Sequence, residues 1–327
     1  MFNQVKNRRV LVTGGAGFIG SNLVESLLLS GNFVICLDNF SSGKKENLSD
    51  FYNNPKFKLI EGDIRDFNTC LKAVENVEIV FHEAALGSVP RSIKDPVTST
   101  DVNIGGFVKI LFAAKEAGVR RFIYAASSST YGDHPDLPKV EEKIGSPLSP
   151  YAITKYVDEL FADNFSKTYG IEVIGLRYFN VFGRRQDPEG AYAAVIPKFI
   201  NKLMHHESPL INGDGKTTRD FTYVENVIQI NHLAALAQNK EAVNQVFNVA
   251  HGERTSLNEL YFMLRDLLGK FDRDILKIEP VYGPVREGDI THSLASITKA
   301  EKLLGYSPEK RMREGLEETV QWFRDRK

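Results

Sequence analysis

The apolar positions in the first half of the chain fall into short continuous runs with longer amphipathic stretches between them. Arg9-Val10-Leu11-Val12-Thr13, Phe33-Val34-Ile35-Cys36-Leu37, Phe57-Lys58-Leu59-Ile60, Glu78-Ile79-Val80-Phe81-His82, Arg121-Phe122-Ile123-Tyr124-Ala125 and Ile171-Glu172-Val173-Ile174-Gly175-Leu176 all have strand length. Helix-like segments lie between them: residues 21–29 closed by Gly31, 101–117 closed by Gly118, and 150–168. The last carries Ser149 as N-cap, Pro150 at the first helical position and Gly170 just past its end. Strand and helix in alternation predict an α/β fold built on a doubly wound parallel sheet. After Asn180 the texture changes to shorter segments, denser in glycine, proline and charge. This predicts one domain over 1–181 and a smaller C-terminal α/β lobe over 182–327. The stretch from about 220 to 250 holds Phe221-Thr222-Tyr223-Val224, a helix and Val246-Phe247-Asn248-Val249, and is expected to return to the first domain. The charged tail, 309–327, reads as a solvated helix with Trp322 and Phe323 turned inward.

Composition narrows the classes. A chain of 327 residues with 42 % hydrophobic and 25 % charged positions can bury a large core without staples. A net charge of −1 gives no bulk attraction to nucleic acid or an anionic membrane, so anion binding needs a few placed arginines. Cys36 and Cys70, the two cysteines, suggest a reducing compartment. Nothing approaches the apolar length of a membrane span, and a cytoplasmic protein is expected. The seven histidines show no ligand spacing, so no metal is expected.

The first strand runs into Gly14-Gly15-Ala16-Gly17-Phe18-Ile19-Gly20 and then a helix. Such glycines allow a tight turn and let backbone approach a pyrophosphate, which meets the free N–H groups of the helix start. The second strand ends at Asp38, eighteen residues past Gly20. An acid there accepts hydrogen bonds from ribose hydroxyls and repels a 2′-phosphate, so NAD is favoured over NADP. Lys44 and Lys45 nearby argue the other way.

Tyr151 and Lys155 are four apart near a helix start, on one face. A phenol with a pKa near ~10 is a poor base at neutral pH, but a neighbouring ammonium favours the phenolate. Alone, this spacing fits equally well a packed tyrosine beside a solvated lysine. Ala126-Ser127-Ser128-Ser129-Thr130-Tyr131-Gly132 follows the fifth strand, at the carboxyl edge where ligands bind in open α/β sheets. A serine there can bridge a substrate hydroxyl and the tyrosine.

These motifs in this order resemble the extended short-chain dehydrogenase/reductases, and among them the nucleotide-sugar C4-epimerases. The likeness also runs through Asp38-Asn39, Gly62-Asp63-Ile64, His82-Glu83-Ala84-Ala85, Asn103 and Arg177-Tyr178-Phe179-Asn180-Val181-Phe182-Gly183. It implies a Rossmann domain binding NAD through Gly14, Gly17, Phe18, Ile19, Gly20, Asp38, Asn39, Asp63, Ile64, Ala84, Ala85, Asn103, Tyr151 and Lys155. It makes Ser127 the catalytic serine, Tyr151 the base and Lys155 the ligand of the nicotinamide ribose. Asn180 would touch the diphosphate of a UDP-sugar. Arg219, in Thr218-Arg219-Asp220-Phe221, and Arg286, in Val285-Arg286-Glu287-Gly288-Asp289, would supply the arginines, with Asp289 for the uridine ribose and Ala194 and Val195 near the uracil.

The reaction implied begins with proton transfer from the C4 hydroxyl to Tyr151 and hydride transfer to NAD. Sugar 4,6-dehydratases of this family place an Asp-Glu pair after the catalytic Ser/Thr. Ser128 and Ser129 stand there instead, which points to an epimerase: the keto sugar rotates and takes its hydride back. In C4-epimerases a bulky tyrosine four residues after the Gly-Asp of the second arginine segment excludes an N-acetyl group. Here that position is Ser293. Gly87, Ser88, Ser128, Ser129, Asn180, Gln186 and Ala194 likewise resemble the pocket of bacterial enzymes that prefer N-acetylated sugars. The expectation is interconversion of UDP-N-acetylglucosamine and UDP-N-acetylgalactosamine; UDP-glucose/UDP-galactose and UDP-uronic acid epimerases, and a non-catalytic NAD-binding protein, are the alternatives. The resemblance further implies a homodimer through helices 101–117 and 150–168. Phe107, Ile110, Leu111, Phe161 and Phe165 would serve that interface or only the core.

Overall fold

The computed structural model describes residues 2–190, 193–285 and 292–326. Six strands of the first half lie parallel: β1 (Arg9–Thr13), β2 (Phe33–Asp38), β3 (Phe57–Glu61), β4 (Ile79–His82), β5 (Arg121–Ser127) and β6 (Glu172–Tyr178). A seventh, β7 (Gln245–Val249), pairs parallel with β6, from Gln245 opposite Ile174 to Val249 opposite Tyr178. The spatial order is β7-β6-β5-β4-β1-β2-β3. The chain thus winds outward both ways from β1, which pairs with β2 on one side and β4 on the other. That reversal leaves a crevice at the carboxyl ends of β1 and β4, where ligands bind in such sheets.

The apolar runs are continuous because both faces of the sheet are covered. Over one face, α1 (Phe18–Leu29) and the helix Val224–Leu236 bury Leu23, Val24, Leu27, Val227 and Ile230 against β1, β2 and β6. Over the other, α2 (Phe67–Ala73) and the two long helices of the first half bury Cys70, Phe107, Leu111 and Phe165 against Leu11, Ile35, Val80 and Phe122. A third cluster, with Phe199, Ile200, Tyr261, Leu264, Leu316 and Val320, joins the helices Val195–Met204, Leu257–Gly269 and Met312–Arg324.

Two sequence expectations need correction. The helix expected over 101–117 starts earlier. A short helix α3 (Val89–Lys94) is followed by α4 (Pro96–Thr100), a π-helical turn (Asp101–Gly106) and α5 (Phe107–Glu116). Its start is set by Asp95, whose carboxylate accepts the N–H of Thr98 at 3.0 Å, with Pro96 in the first turn. The inward face of the tail helix, Met312–Arg324, is made chiefly by Gly315, Leu316, Thr319 and Val320; Phe323 packs against the same cluster, as expected, while Trp322 is half-buried. Gly315 is needed there, since a Cβ on it would lie 2.6 Å from the Tyr223 ring. Of the two places left open for them, Phe107, Ile110, Leu111 and Phe165 take the core of this one chain, with Phe161 partly buried beside them.

The helix α6 (Pro150–Tyr169) carries the tyrosine–lysine pair, and its ends follow their sequence signals. Ser149 Oγ accepts the N–H of Ala152 at 3.1 Å, and Gly170 closes the helix at φ 73°. Farther along, Glu159 is held by the Arg177 guanidinium through two hydrogen bonds of 2.8 and 2.7 Å, both side chains buried. Arg177 also lies 4.8 Å from the centre of the Tyr131 ring, and Tyr131 donates to Asn248 Oδ1 at 2.6 Å. This chain of contacts ties α6, β6, β7 and the turn after β5 into one unit beneath the crevice.

Candidate active site

The crevice opens into a cleft of about 550 Å³. Its floor at β1 is the glycine turn. Gly14 takes φ 67°, and a Cβ on it would meet the Ala84 backbone at 2.7 Å. A Cβ on Gly20 would lie 2.2 Å from the Gly14 carbonyl oxygen. The N-cap of α1, Gly17, offers no side-chain cap, and the first turn contains no acid. The helix therefore presents an uncapped, positive N-terminus to the cleft, as a pyrophosphate requires.

Asp38 follows at the end of β2. Its Oδ2 accepts the N–H of Ala16 at 2.9 Å and its Oδ1 that of Phe40 at 2.8 Å. Burial pushes the Asp38 carboxyl above its ordinary pKa, and these N–H donors pull it back. The two nearby lysines are engaged elsewhere: Lys44 with Asp187 at 3.0 Å and Lys45 with Glu61 at 3.1 Å. Asp63 accepts from Asn39 at 2.8 Å and from the Arg65 guanidinium, which holds its carboxyl down at about 2. These residues form a hydrogen-bonding rim with a carboxylate where an adenosine ribose would lie. Together with the glycine cradle they fit NAD.

At the other end lie Ser127, Tyr151 and Lys155. Ser127, the last residue of β5, accepts from Ser129 through both its backbone N–H (3.1 Å) and its hydroxyl (2.8 Å). Tyr151 donates its backbone N–H to Ser92 Oγ at 3.0 Å, which docks the start of α6 on α3. The Lys155 ammonium donates to the Ala125 carbonyl at 2.9 Å and reaches Asp158 Oδ2 at 3.4 Å.

Of the residues expected at the site, Gly14, Gly17, Phe18, Ile19, Gly20, Asp38, Asn39, Asp63, Ile64, Ala84, Ala85, Gly87, Ser127, Tyr151, Lys155, Gln186 and Ala194 line this one cleft. The amide oxygen of Gln186 is buried with no hydrogen-bond partner. The other expected residues that the structure describes stand outside the lining. Asn103 is buried behind it, accepting the Leu86 N–H at 2.8 Å and donating to Thr154 at 3.1 Å, so it joins the loop after β4 to α6. Ser88 caps α3 by accepting the Arg91 N–H. Ser128 and Ser129 form the turn after Ser127, and Asn180 donates to the Asp220 carbonyl at 2.9 Å. Val195 begins the helix Val195–Met204. Arg219 lies in a short strand, Thr218–Arg219, with its guanidinium on the Thr218 carbonyl, and Ser293 donates its backbone N–H to that same carbonyl at 3.1 Å. Arg286 and Asp289 lie outside the described residues.

The cleft also contains groups to which the sequence reading gave no role. Tyr178, at the end of β6, donates to Glu83 Oε1 at 2.8 Å and accepts from Asn231 at 2.9 Å. Burial pushes the Glu83 carboxyl up to about 7, against the pull of Tyr178 and the Lys155 charge. Both residues sit at the carboxyl ends of strands, which was the available signal. Asp187 lines the cleft as well, and so does Arg91, for which the sequence left open a substrate contact or a surface salt bridge. No cluster of metal-ligating side chains occurs among the described residues, and no described helix is long and apolar enough to cross a membrane.

A parallel sheet whose switch point joins a dinucleotide cradle to a Ser-Tyr-Lys group defines a nucleotide-dependent enzyme of the short-chain dehydrogenase/reductase fold. Residues 10–250 match the model of the NAD dependent epimerase/dehydratase family. The UDP-N-acetylglucosamine 4-epimerase of Methanobrevibacter ruminantium, solved with UDP-N-acetylmuramic acid, is 40% identical over 99% of this chain and 100% of its own, with a TM-score of 0.92. The UDP-glucose 4-epimerase of Thermotoga maritima, solved with UDP-glucose, is 38% identical over 97% and 99%, with a TM-score of 0.89. A UDP-glucose 4-epimerase of Mycolicibacterium smegmatis is 38% identical over 97% of this chain and 99% of its own. The chain belongs to the NAD dependent epimerase/dehydratase family. It is an enzyme of the nucleotide-sugar epimerase kind, with NAD as its cofactor.

Proposed function

We propose that this enzyme interconverts UDP-N-acetylglucosamine and UDP-N-acetylgalactosamine. Tyr151 takes the C4 hydroxyl proton, Ser127 bridges that hydroxyl and the phenol, and Lys155 orients the nicotinamide ribose and favours the phenolate. NAD supplies a hydride acceptor that is restored in the same turnover. The uncapped start of α1 carries the pyrophosphate, and Asp38 carries the adenosine ribose. The remaining substrate contacts are assigned to Asn180, Gln186, Ala194, Val195, Arg219, Arg286, Asp289 and Ser293. The observation that carries the reading is the convergence of Ser127, Tyr151 and Lys155 with the glycine cradle on one cleft. Ser129 meanwhile binds Ser127 where a dehydratase would need a carboxylic acid. The acetylated sugar is favoured by small Ser293 and by the 40% identity to the Methanobrevibacter enzyme. UDP-glucose/UDP-galactose is the second reading, favoured by the 38% identity to UDP-glucose epimerases.

The test is an NMR time course of the pure protein, without added NAD, on UDP-N-acetylgalactosamine and UDP-galactose in parallel. Faster C4 epimerisation of the acetylated sugar is expected. Equal rates reject the acetyl preference, and no conversion of either after NAD is added rejects the epimerase. Ser293→Tyr is expected to lose most activity on the acetylated sugar while keeping that on UDP-galactose. An unchanged ratio of kcat/KM for the two sugars overturns the role of Ser293.

A homodimer is proposed with it. Ile153 and Leu160, seven apart on α6, are about half exposed, and Val97 on α4 and Leu148 just before α6 are more so. These residues, rather than the buried phenylalanines, would meet a second copy.

A further inference from the structure

We propose that Asp158 is a positioning residue for this chemistry: its carboxylate holds the Lys155 ammonium charged at the cleft wall and so sets the pH range over which Tyr151 serves as base. The inference rests on the roles given above to Tyr151 and Lys155.

Lys155 is almost fully buried, at 2 % exposure. An ammonium taken out of water is unfavourable unless it is paired. Its two contacts are the Ala125 carbonyl, which offers a dipole, and Asp158 Oδ2, which offers a charge. Asp158 lies three residues on along α6 and is itself completely buried. An aspartate is a poor choice for the core face of a helix on propensity alone. Its other oxygen, Oδ1, has no hydrogen-bond partner. The next residue makes the contrast, since both oxygens of Glu159 are taken by Arg177. Glu159 is structural, whereas Asp158 faces a cation that lines the cleft.

Burial pushes the Asp158 carboxyl up to about 7 and Lys155 pulls it back, so its charge depends on that ammonium. The other ionisable groups around the pair come from three strands and from α6. Glu83 and His82, at the end of β4, both feel the Lys155 charge, and burial keeps His82 neutral with a pKa of about 3. Tyr124 on β5 feels both Asp158 and Glu159, with Arg177 on β6 opposing them. Tyr151 is one turn back along the helix. Among these, Asp158 is the carboxylate in ion-pair contact with Lys155.

The sign follows from charge. Without the carboxylate, the ammonium loses its proton at lower pH. Without the same negative charge, the Tyr151 phenolate also forms at lower pH. Asp158→Asn keeps the shape and removes the charge, so both limbs of the kcat–pH profile should move to lower pH, the limb of the nearer Lys155 the more. A merely structural residue would lower kcat at every pH and leave both limbs in place.

The experiment uses the NAD-loaded enzyme and two readouts. One is the kcat–pH profile for epimerisation by wild type and Asp158→Asn. The other is the phenolate absorbance of Tyr151, taken as the difference between each protein and its Tyr151→Phe counterpart across the same pH range. Lower midpoints in both, with NAD content and melting temperature preserved, are expected. A phenolate midpoint unchanged in Asp158→Asn overturns the proposal, whether or not kcat falls. If the asparagine variant does not fold, Asp158→Ser is read the same way. If wild type turns over no sugar, the reaction assignment fails by itself, and the tyrosine titration still decides the role of Asp158.

Discussion

Tyr151→Phe should lower kcat for C4 epimerisation by about 10³-fold while leaving bound NAD in place, because the phenol oxygen is the one atom lost and a positioned base contributes roughly 10²–10⁴-fold. The ring remains, so the packing of α6 changes little. The anchor of that helix start is a backbone N–H donated to Ser92, which a phenylalanine still supplies. Lys155 keeps its contacts with Ala125 and Asp158, so the wall of the cleft stays formed. The substrate loses a hydrogen bond that matters most as its proton leaves, so KM should change much less than kcat. Rates from the NMR assay and NAD content from the absorbance of the denatured protein check both halves. A variant with wild-type kcat would remove Tyr151 from the reaction and leave the cleft as a binding site alone.

Gly20→Ala should yield a folded protein largely without cofactor. The added Cβ would stand 2.2 Å from the Gly14 carbonyl oxygen and 2.9 Å from the Gly15 Cα, and both are backbone atoms. Gly14 has little room to retreat, because even a Cβ placed on it would stand 2.7 Å from the Ala84 backbone. The first turn of α1 must therefore shift, and its N–H groups move off the pyrophosphate position. Overpacking of this kind costs about 1–3 kcal/mol. Since the shift falls on the cofactor's own contacts, a loss of NAD affinity of about ten- to a hundredfold is expected. NAD content after gel filtration and isothermal titration of the stripped protein measure it. Stoichiometric NAD in the purified variant would mean that the turn relaxes around the methyl group and that the cradle is looser than its contacts imply.

Part of this architecture can be read from the chain alone because it is written in local rules. The six apolar runs coincide with strands since a parallel sheet covered on both faces needs continuous apolar segments. Ser149, Pro150 and Gly170 mark the ends of α6 because caps act within a few residues. The glycine spacing indicates a phosphate-binding turn for the same reason. Where the reading went astray, a local signal was present but competed with another. Asp95-Pro96 started the helix before the run of residues that was counted. At the C-terminal helix, the aromatic pair suggested an inward face that Gly315, Leu316, Thr319 and Val320 mostly provide, with Phe323 packed beside them.

Period, capping and side-chain identity were enough for the α/β class, the strands that carry the cofactor and the residue types able to do the chemistry. Tertiary packing settled which of them meet. Ser127 and Tyr151 are brought to one cleft by the order of β5, β6 and α6, while Asn103 and Ser88 make hydrogen bonds outside its lining. It also decided that Asp158 and Glu159, adjacent in sequence, have different partners, one facing Lys155 and the other Arg177. Adjacent residues on a helix point about 100° apart, so their environments are set by whatever strand or side chain packs on each face. That packing joins parts of the chain far apart in sequence.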